Sequence, residues 1–318
     1  LADLGQKPRK GRKMSKVEHQ ARLGAWLEDE KKRVHGEWDE FVMTLEDEVL
    51  RIIREYGGEL CTTLQDQDVE VNTDIVSYPD SITMRVRMRG EGFNDLVRNH
   101  PRIFEVVPPD VVESPFHTAT HDMDEWPEFE GFPPEEGAPW VAVIDSGIQE
   151  GHRYLRHAIQ AESSLCLVPG KSEDDVADEV RDGGHGTRVA GAVLYPWDDV
   201  PTGQQQTSCW LSNFRVLDES CGLSKRIFPP RMLERAVEHL PDARVFVHSI
   251  NADAPCRLRH MSAWAAKMDD LSHRKDLLFV VSAGNLRYRQ VPPGKGILDH
   301  LASGTAYPAY LLEDSARI

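Results

Sequence analysis

Long apolar runs are missing from this sequence of 318 residues. No stretch approaches the roughly 18 apolar residues that indicate a transmembrane helix, and no hydrophobic segment of a secretory signal is visible. Cysteine is also scarce, since the chain has five, scattered and without CxxC spacing, at Cys61, Cys166, Cys209, Cys221 and Cys256. The cysteine pattern favours free thiols over a disulfide framework or a zinc site, and it predicts a cytoplasmic protein. The missing apolar runs predict that the protein has no membrane partner.

Basic residues are in the minority, which limits the classes of partner. Lys and Arg total 37 against 53 Asp and Glu, so the formal net charge is -16. Such an acidic chain is not expected to bind nucleic acid, because phosphate contacts need a basic surface. With 40% hydrophobic and 28% charged residues, the chain is predicted to be globular and long enough for two domains.

Two segments place a carboxylate and an imidazole next to apolar elements. Val141–His152 (VAVIDSGIQEGH) predicts a short buried strand that delivers Asp145 into a Ser-Gly turn. Asp182–Leu194 (DGGHGTRVAGAVL) predicts a Gly-rich turn that presents His185 just before a helix. A carboxylate beside an imidazole fixes the imidazole tautomer, and the imidazole can then take a proton from a nucleophile.

A third segment, Leu277–Asn285 (LLFVVSAGN), predicts a strand that ends in Asn285, whose side-chain amide could donate to a developing oxyanion. From Trp140 onward, near-continuous apolar strands alternate with amphipathic helices. This alternation predicts an α/β fold, with a mostly parallel sheet covered by helices on both faces. Ligands of such sheets bind at the carboxyl ends of strands, and Asp145, Asn285 and the segment Ser249–Asn251 fall at such ends.

In order and spacing these segments resemble the subtilisin-like serine peptidases, the subtilases. Over roughly Pro139–Tyr310 the matching residues are Asp145-Ser146-Gly147, His185-Gly186-Thr187, Val189-Ala190-Gly191, Ser282-Ala283-Gly284-Asn285 and the strand VFVHSIN at Val245–Asn251. The resemblance implies that Asp145 orients His185, that His185 is general base and then general acid, and that Asn285 is the oxyanion donor. It also implies a protein or peptide substrate in a cleft lined by Ser249, Ile250, Asn251, Ser282, Ala283 and Gly284.

The Gly-Thr-Ser motif that carries the nucleophile in that family occurs nowhere in the sequence. The chain begins with Leu and stops at Ile318, so we expect a piece of a longer serine endopeptidase whose catalytic serine lies beyond Ile318. The alternative is a catalytically inactive subtilase-like module that binds peptides and regulates a partner. No cofactor is predicted, and calcium, which many subtilases carry, stays open because no DxDxDG-type ligand loop occurs.

Composition divides the chain into four parts. Residues 1–19 contain a basic run that predicts a disordered tail, and 20–115 are predicted to form a small α+β domain. The acidic, Pro- and Gly-bearing stretch 116–138 predicts a linker, and 139–318 a peptidase domain that is incomplete at its C-terminus.

The pattern within the small domain is a helix followed by short strands around a second helix. Gln20–Tyr56 predicts the first helix, and strands are predicted at Asp74–Tyr78, Ile82–Met88 and Ile103–Val107. This ferredoxin-like layout resembles the propeptide or inhibitor-like domain that precedes many subtilase catalytic domains. The resemblance implies an intramolecular partner that docks on the peptidase domain and adds a strand to its substrate groove.

Overall fold

The structure is a computed structural model that describes residues 6–9, 14–62, 74–78, 81–109, 111–112, 127–181, 184–196, 200–252 and 261–282. The chain divides into two compact units, the first comprising Leu1–Cys61 and Pro79–Val106, the second Thr62–Tyr78 and Val107–Ile318. Two stretches of the predicted small domain 20–115, Thr62–Tyr78 and residues 107–115, therefore belong to the second unit. The domain boundaries read from composition stay a prediction.

The helices and strands of the described residues are short apart from the first helix. The helices are α1 Lys16–Glu55, α2 Gly90–Asn99, α3 Gly186–Leu194, α4 Pro229–His239 and α5 Ala263–Lys275. The strands are β1 Glu59–Leu60, β2 Ile75–Ser77, β3 Ile82–Met84, β4 Val86–Arg87, β5 Phe129–Phe132, β6 Trp140–Asp145, β7 Leu165–Cys166, β8 Gly203–Gln206, β9 Trp210–Arg215, β10 Ala243–His248 and β11 Leu278–Val281.

The first unit is built around α1, which begins four residues before the predicted start at Gln20 because of its cap. Ser15 Oγ accepts a hydrogen bond from the Glu18 backbone N–H, and the Glu18 carboxylate accepts one from the Ser15 N–H. Such a capping box satisfies two backbone donors that the first turn leaves free. At the other end, Tyr56 Oη donates to Asp95 of α2 over 2.9 Å, and β1 pairs antiparallel with β4.

The predicted strand at Ile103–Val107 is wrong, because the structure shows no strand there. Phe104 is 71% exposed, and Val106 and Val107 are also exposed. Strand propensity stabilises a strand only when a neighbouring strand is present, and among the described residues no strand pairs with this segment.

The second unit contains a five-stranded sheet with strand order β11-β10-β6-β9-β7, in which every pair is parallel. The chain starts in the middle at β6, builds β7 and β9 on one side, and then crosses through α4 to β10 and β11 on the other. The strand order therefore reverses beside β6, and ligands of α/β sheets bind in the crevice that such a reversal opens at the carboxyl ends.

The residues of β6 face two separate cores, as expected for a strand with helices on both sides. Ala142 and Ile144 belong to a large cluster that includes Met232 and Leu233 of α4 and Trp264, Met268 and Leu271 of α5. Val141 and Val143 belong to a second cluster that includes Ala190 and Leu194 of α3. The α/β fold with a parallel sheet and helices on both faces is thereby confirmed.

Three short strands were not predicted from the sequence. Leu165–Cys166 is the edge strand β7, and Phe129–Phe132, within the predicted linker 116–138, is strand β5, which pairs with β8 in a small parallel sheet. These strands escape prediction because they are two to four residues long and, in β8, entirely polar apart from glycine. None of the helices in the described ranges combines the length and apolarity that a bilayer-spanning helix requires.

Within the second unit, the segment that contains β2 packs against the helices α4 and α5. The Arg231 guanidinium donates to the Ile75 carbonyl over 2.6 Å, and Tyr78 Oη donates to the Ala263 carbonyl over 2.7 Å. Val76 and Tyr78 are buried together with Phe228. A segment that precedes β6 by more than sixty residues in the sequence is thus part of the same compact unit as the parallel sheet.

Candidate active site

Asp145 and His185, predicted to act together, lie side by side in the structure. Asp145 is the last residue of the central strand β6 and is fully buried. One of its oxygens, Oδ1, lies 2.7 Å from Nδ1 of His185, which immediately precedes α3 and keeps 27% of its side chain exposed. A buried carboxylate hydrogen-bonded to one imidazole nitrogen leaves the other nitrogen available toward the open side.

Two glycines allow the backbones around this pair to come close together. Gly147 has a φ of +99°, and a Cβ there would lie 2.4 Å from the Val176 carbonyl oxygen. A Cβ on Gly186 would lie 2.3 Å from the Gly147 carbonyl oxygen. Gly186 is therefore required by the approach of the Asp145 turn to the first turn of α3, and Gly147 by its left-handed backbone and its contact with Val176.

The carboxylate of Asp145 is held by further donors. Its Oδ1 accepts the backbone N–H of Ser146 over 2.6 Å, and its Oδ2 accepts the hydroxyl of Ser249, which follows β10. Both oxygens are thus occupied, and the orientation of the carboxylate toward His185 is fixed. Ser249, predicted as a residue of the substrate cleft, has its hydroxyl turned to the carboxylate.

The other predicted cleft residues are brought partly together. Ile250 is 1% exposed and packs in the large core, so only its backbone is available to a ligand. Asn251 accepts a hydrogen bond from the Ser282 hydroxyl over 3.0 Å, which joins the ends of β10 and β11. Ala283, Gly284 and Asn285 lie outside the described residues. Their roles, including that of Asn285 as oxyanion donor, stay predictions.

Asp178 is a residue of the site that sequence reasoning missed. Its Oδ1 accepts the Ser146 hydroxyl over 3.0 Å, and its Oδ2 accepts the backbone N–H and the hydroxyl of Thr187 over 2.9 and 2.8 Å. The Ser146 hydroxyl in turn accepts the N–H of Gly186 over 2.9 Å. One buried carboxylate therefore ties the turn after Asp145 to the start of α3, which carries His185.

A glycine again makes this close approach possible. Gly184 has a φ of +77°, and a Cβ there would lie 2.1 Å from Oδ2 of Asp178. The only sequence signal for Asp178 is an acidic residue shortly before the His185 turn, in a stretch without periodicity. Such a signal does not distinguish a buried carboxylate that connects two segments from a solvent-exposed loop residue.

The electrostatics of the site favour the protonated form of His185. The hydrogen bond to Asp145 raises the pKa of His185 above its ordinary value, burial opposes this, and the negative charges of Asp145 and Asp178 add to the rise. An imidazole held in this way is stabilised as it gains a proton, which is what general base catalysis requires.

Replacing Asp178 is expected to loosen the site. In an Asp178→Ala variant, the Thr187 N–H loses its acceptor, and each unsatisfied buried donor costs about 1–3 kcal/mol. We therefore expect a loss of roughly 3 kcal/mol in the free energy of unfolding, measured by denaturant titration, and a lower His185 pKa, measured by NMR. Asp174→Ala, in the exposed part of the same loop, is the control. Equal stability of the two variants would contradict the bracing role.

One set of side chains in the described ranges converges closely enough to hold a metal ion, and it lies at this site. An oxygen of Asp145, a ring nitrogen of His185 and the sulfur of Cys221 all lie within 4.8 Å of one another. Calcium takes oxygen ligands, so a set with a thiol and an imidazole does not suit it.

Comparison with known proteins agrees with the family resemblance of the sequence. A model of the subtilase family matches residues 137–311, more than half of the chain. No curated protein matches closely enough to count as a relative.

Two solved structures show the extent of similarity. The serine protease of Aeromonas sobria, solved in complex with the chaperone ORF2, is 23% identical over 46% of this chain and 25% of that chain, with a TM-score of 0.36. The epidermin leader peptide processing serine protease of Staphylococcus aureus is 19% identical over 48% of this chain and 38% of that chain, with a TM-score of 0.33. The match spans well under half the length of either protein. On the strength of the family match over residues 137–311, this chain belongs to the subtilase family.

Proposed function

We propose that this chain supplies the catalytic histidine of a serine endopeptidase and the carboxylate that orients it, with the nucleophilic serine contributed from beyond Ile318. The observation that carries the proposal is the 2.7 Å contact between Asp145 and His185 at the carboxyl end of the central parallel strand. His185 takes the proton from the serine hydroxyl and later gives it to the leaving amine, while Asp145 stabilises the imidazolium. Asn285 donates to the oxyanion of the tetrahedral intermediate.

The proposed substrate is a protein or peptide chain bound in extended form. Its backbone would pair with the segment Ser249–Asn251, and Ser282, Ala283 and Gly284 would form the adjoining wall. An antiparallel bridge between Val112 and Ala252, the residue after this segment, supports the proposal. Backbone beyond β10 can thus pair with an extended segment, which is how sheet edges recognise peptides.

The N-terminal region is proposed as an intramolecular, propeptide-like partner of the peptidase domain. The packing of the β2 segment against α4 and α5, and the bridge at Val112, support this role because both belong to the unit that holds Asp145 and His185. A cytoplasmic location is likewise a proposal, based on the free thiols of Cys61, Cys166, Cys209 and Cys221.

A serine-directed covalent probe tests the proposed function. The open reading frame is read past Ile318, and the full native protein is treated with a fluorophosphonate, which phosphonylates only a serine activated by its base. We expect one labelled serine in a Gly-Thr-Ser motif, and no label in the His185→Ala variant. His239→Ala, in α4 and away from the pair, is the matched control and should label as the native protein does.

The outcome separates the peptidase from the alternative. A reading frame without that motif, together with a folded protein that takes no label, would leave a peptide-binding module that lacks catalysis. Full labelling of the His185→Ala variant would show that the base lies elsewhere.

A further inference from the structure

Cys221 is an unusual residue at the edge of the site. It is 2% exposed and has a φ of +60°, a left-handed conformation that residues with a Cβ seldom adopt. The surrounding turn is tightly held, because Oδ1 of Asp218 accepts the N–H groups of Ser220 and Gly222, each over 2.9 Å. The turn is closed by an antiparallel bridge between Leu217 and Leu223, so the position of the thiol is fixed by the backbone.

We propose that Cys221, His185 and Asp145 form a binding site for a thiophilic divalent cation such as Zn²⁺. Their sulfur, nitrogen and oxygen atoms already lie within 4.8 Å of one another. Zinc binds sulfur at about 2.3 Å and nitrogen or oxygen at about 2.0–2.2 Å, so its ligand atoms lie roughly 3.3–3.8 Å apart. Movement of about 1 Å would complete three ligands, and a water molecule would fill the fourth position.

The charge of the site favours a cation. Burial, and then the carboxylates of Asp145, Asp178 and Asp218, raise the pKa of the Cys221 thiol to about 12, so the thiol is neutral without a metal. A divalent ion that displaces this proton is matched by one thiolate, one carboxylate and one neutral imidazole. The resulting set has no net charge, which makes its burial acceptable in a site where a lone thiolate is costly.

The donor set also determines which cations are bound. A thiolate with an imidazole selects Zn²⁺, Cd²⁺ and similar ions over Mg²⁺ and Ca²⁺, which prefer oxygen. The ion would take the place of the hydrogen that Nδ1 of His185 shares with Asp145. Inhibition of peptidase activity by such an ion is expected only if the proposed function is correct. Binding of the ion does not require the catalytic serine.

Cadmium binding to the full chain tests the site. We expect one Cd²⁺ per chain at high affinity, with the ultraviolet absorption of a cadmium–thiolate bond, a shift of the His185 ring signals in NMR, and release of at least one proton. Cys221→Gly removes the thiol and suits the left-handed backbone, so this variant should fold. It is expected to weaken Cd²⁺ binding at least about tenfold and to lose the thiolate absorption.

The control is Cys209→Ala, which removes another buried thiol from the other face of the sheet and should bind as the native chain does. Unchanged thiolate absorption in Cys221→Gly, or no saturable binding by the native chain, would overturn the proposal. Because binding is read without substrate, its failure leaves the peptidase proposal standing. Conversely, a chain that binds Cd²⁺ through Cys221 but is not labelled by fluorophosphonate would support the metal site and contradict the peptidase proposal.

Discussion

An Asp145→Asn substitution is expected to lower the turnover of the full native protein by about 10⁴-fold, the scale found when a serine peptidase loses its triad carboxylate. Asp145 is fully buried, and its carboxylate contacts Nδ1 of His185, the Ser146 N–H and the Ser249 hydroxyl. An amide of the same shape keeps the packing but carries no charge to stabilise the imidazolium. The measurement is kcat on a peptide substrate, together with thermal unfolding to establish that the variant is folded.

The same substitution has a second readout that needs no catalysis. Because the hydrogen bond to Asp145 is the largest cause of the raised His185 pKa, that pKa should fall in the Asn variant when followed by NMR. Ser249→Ala, which removes one donor but keeps the carboxylate charge, should reduce turnover far less. A folded Asp145→Asn variant that keeps more than a tenth of native activity would remove Asp145 from the mechanism.

Acidification is expected to destabilise the second unit through His248. This residue ends β10, is fully buried, and packs edge-on against Trp264 with ring centroids 5.1 Å apart. Neither of its ring nitrogens has a hydrogen-bond partner among the described residues. Burial lowers the pKa of His248 from 6.5 to about 4, because the charged ring loses its hydration in this core, and the negative charge of Asp145 offsets only part of this shift.

The direction of the effect follows from proton binding. Between pH 6.5 and 4 the unfolded chain binds a proton at this histidine that the folded chain does not, so stability is present above pH 6.5 and is lost as pH falls. A difference of 2.5 pH units corresponds to about 3 kcal/mol of unfolding free energy. We expect denaturant titrations over this range to show that loss in the native chain.

A His248→Leu variant should lose this part of the pH dependence, because leucine has no proton to bind. Met268→Leu, in the same core beside Trp264, is the matched control, since it alters packing without removing a titrating group. It is expected to keep the native slope even if its absolute stability changes. If His248→Leu and the native chain lose stability in parallel between pH 6.5 and 4, the buried neutral histidine is not the cause.

The parts of the fold that sequence predicted are those whose signal is local. The apolar run that ends at Asp145 indicates β6 because a strand buried on both faces needs such a run, and small residues after His185 indicate a helix packed closely on a sheet. Because Asp145 and Ser249 both follow predicted strands, the sequence alone predicts that they lie near each other at the carboxyl edge of the sheet. The hydrogen bond between them, however, depends on β10 lying next to β6, which no local pattern specifies.

The parts that sequence missed depend on tertiary contact. Asp178 is a brace only because Gly184 lets the backbone pass over its carboxylate, and Cys221 reaches the site only through a left-handed turn. The strands β5 and β8 pair although β8 is Gly-Gln-Gln-Gln, so the ladder is stabilised by its neighbour rather than by its own propensity. Conversely, Ile103–Val107 has the propensity, but none of the strands in the described part of the chain pairs with it.

The order of strands also has a consequence for biosynthesis. Val143 of β6 pairs with Asn213 on one side and Val247 on the other, so the strand that leaves the ribosome first among the five acquires its second neighbour only after β10 is made. Until then, one edge of an almost wholly apolar strand is open to pairing with other chains. Closing such distant pairs is slow, because loop entropy is lost before contacts form. We therefore expect a nascent chain stalled before Ala243 to aggregate more readily than the chain in which β10 has paired with β6.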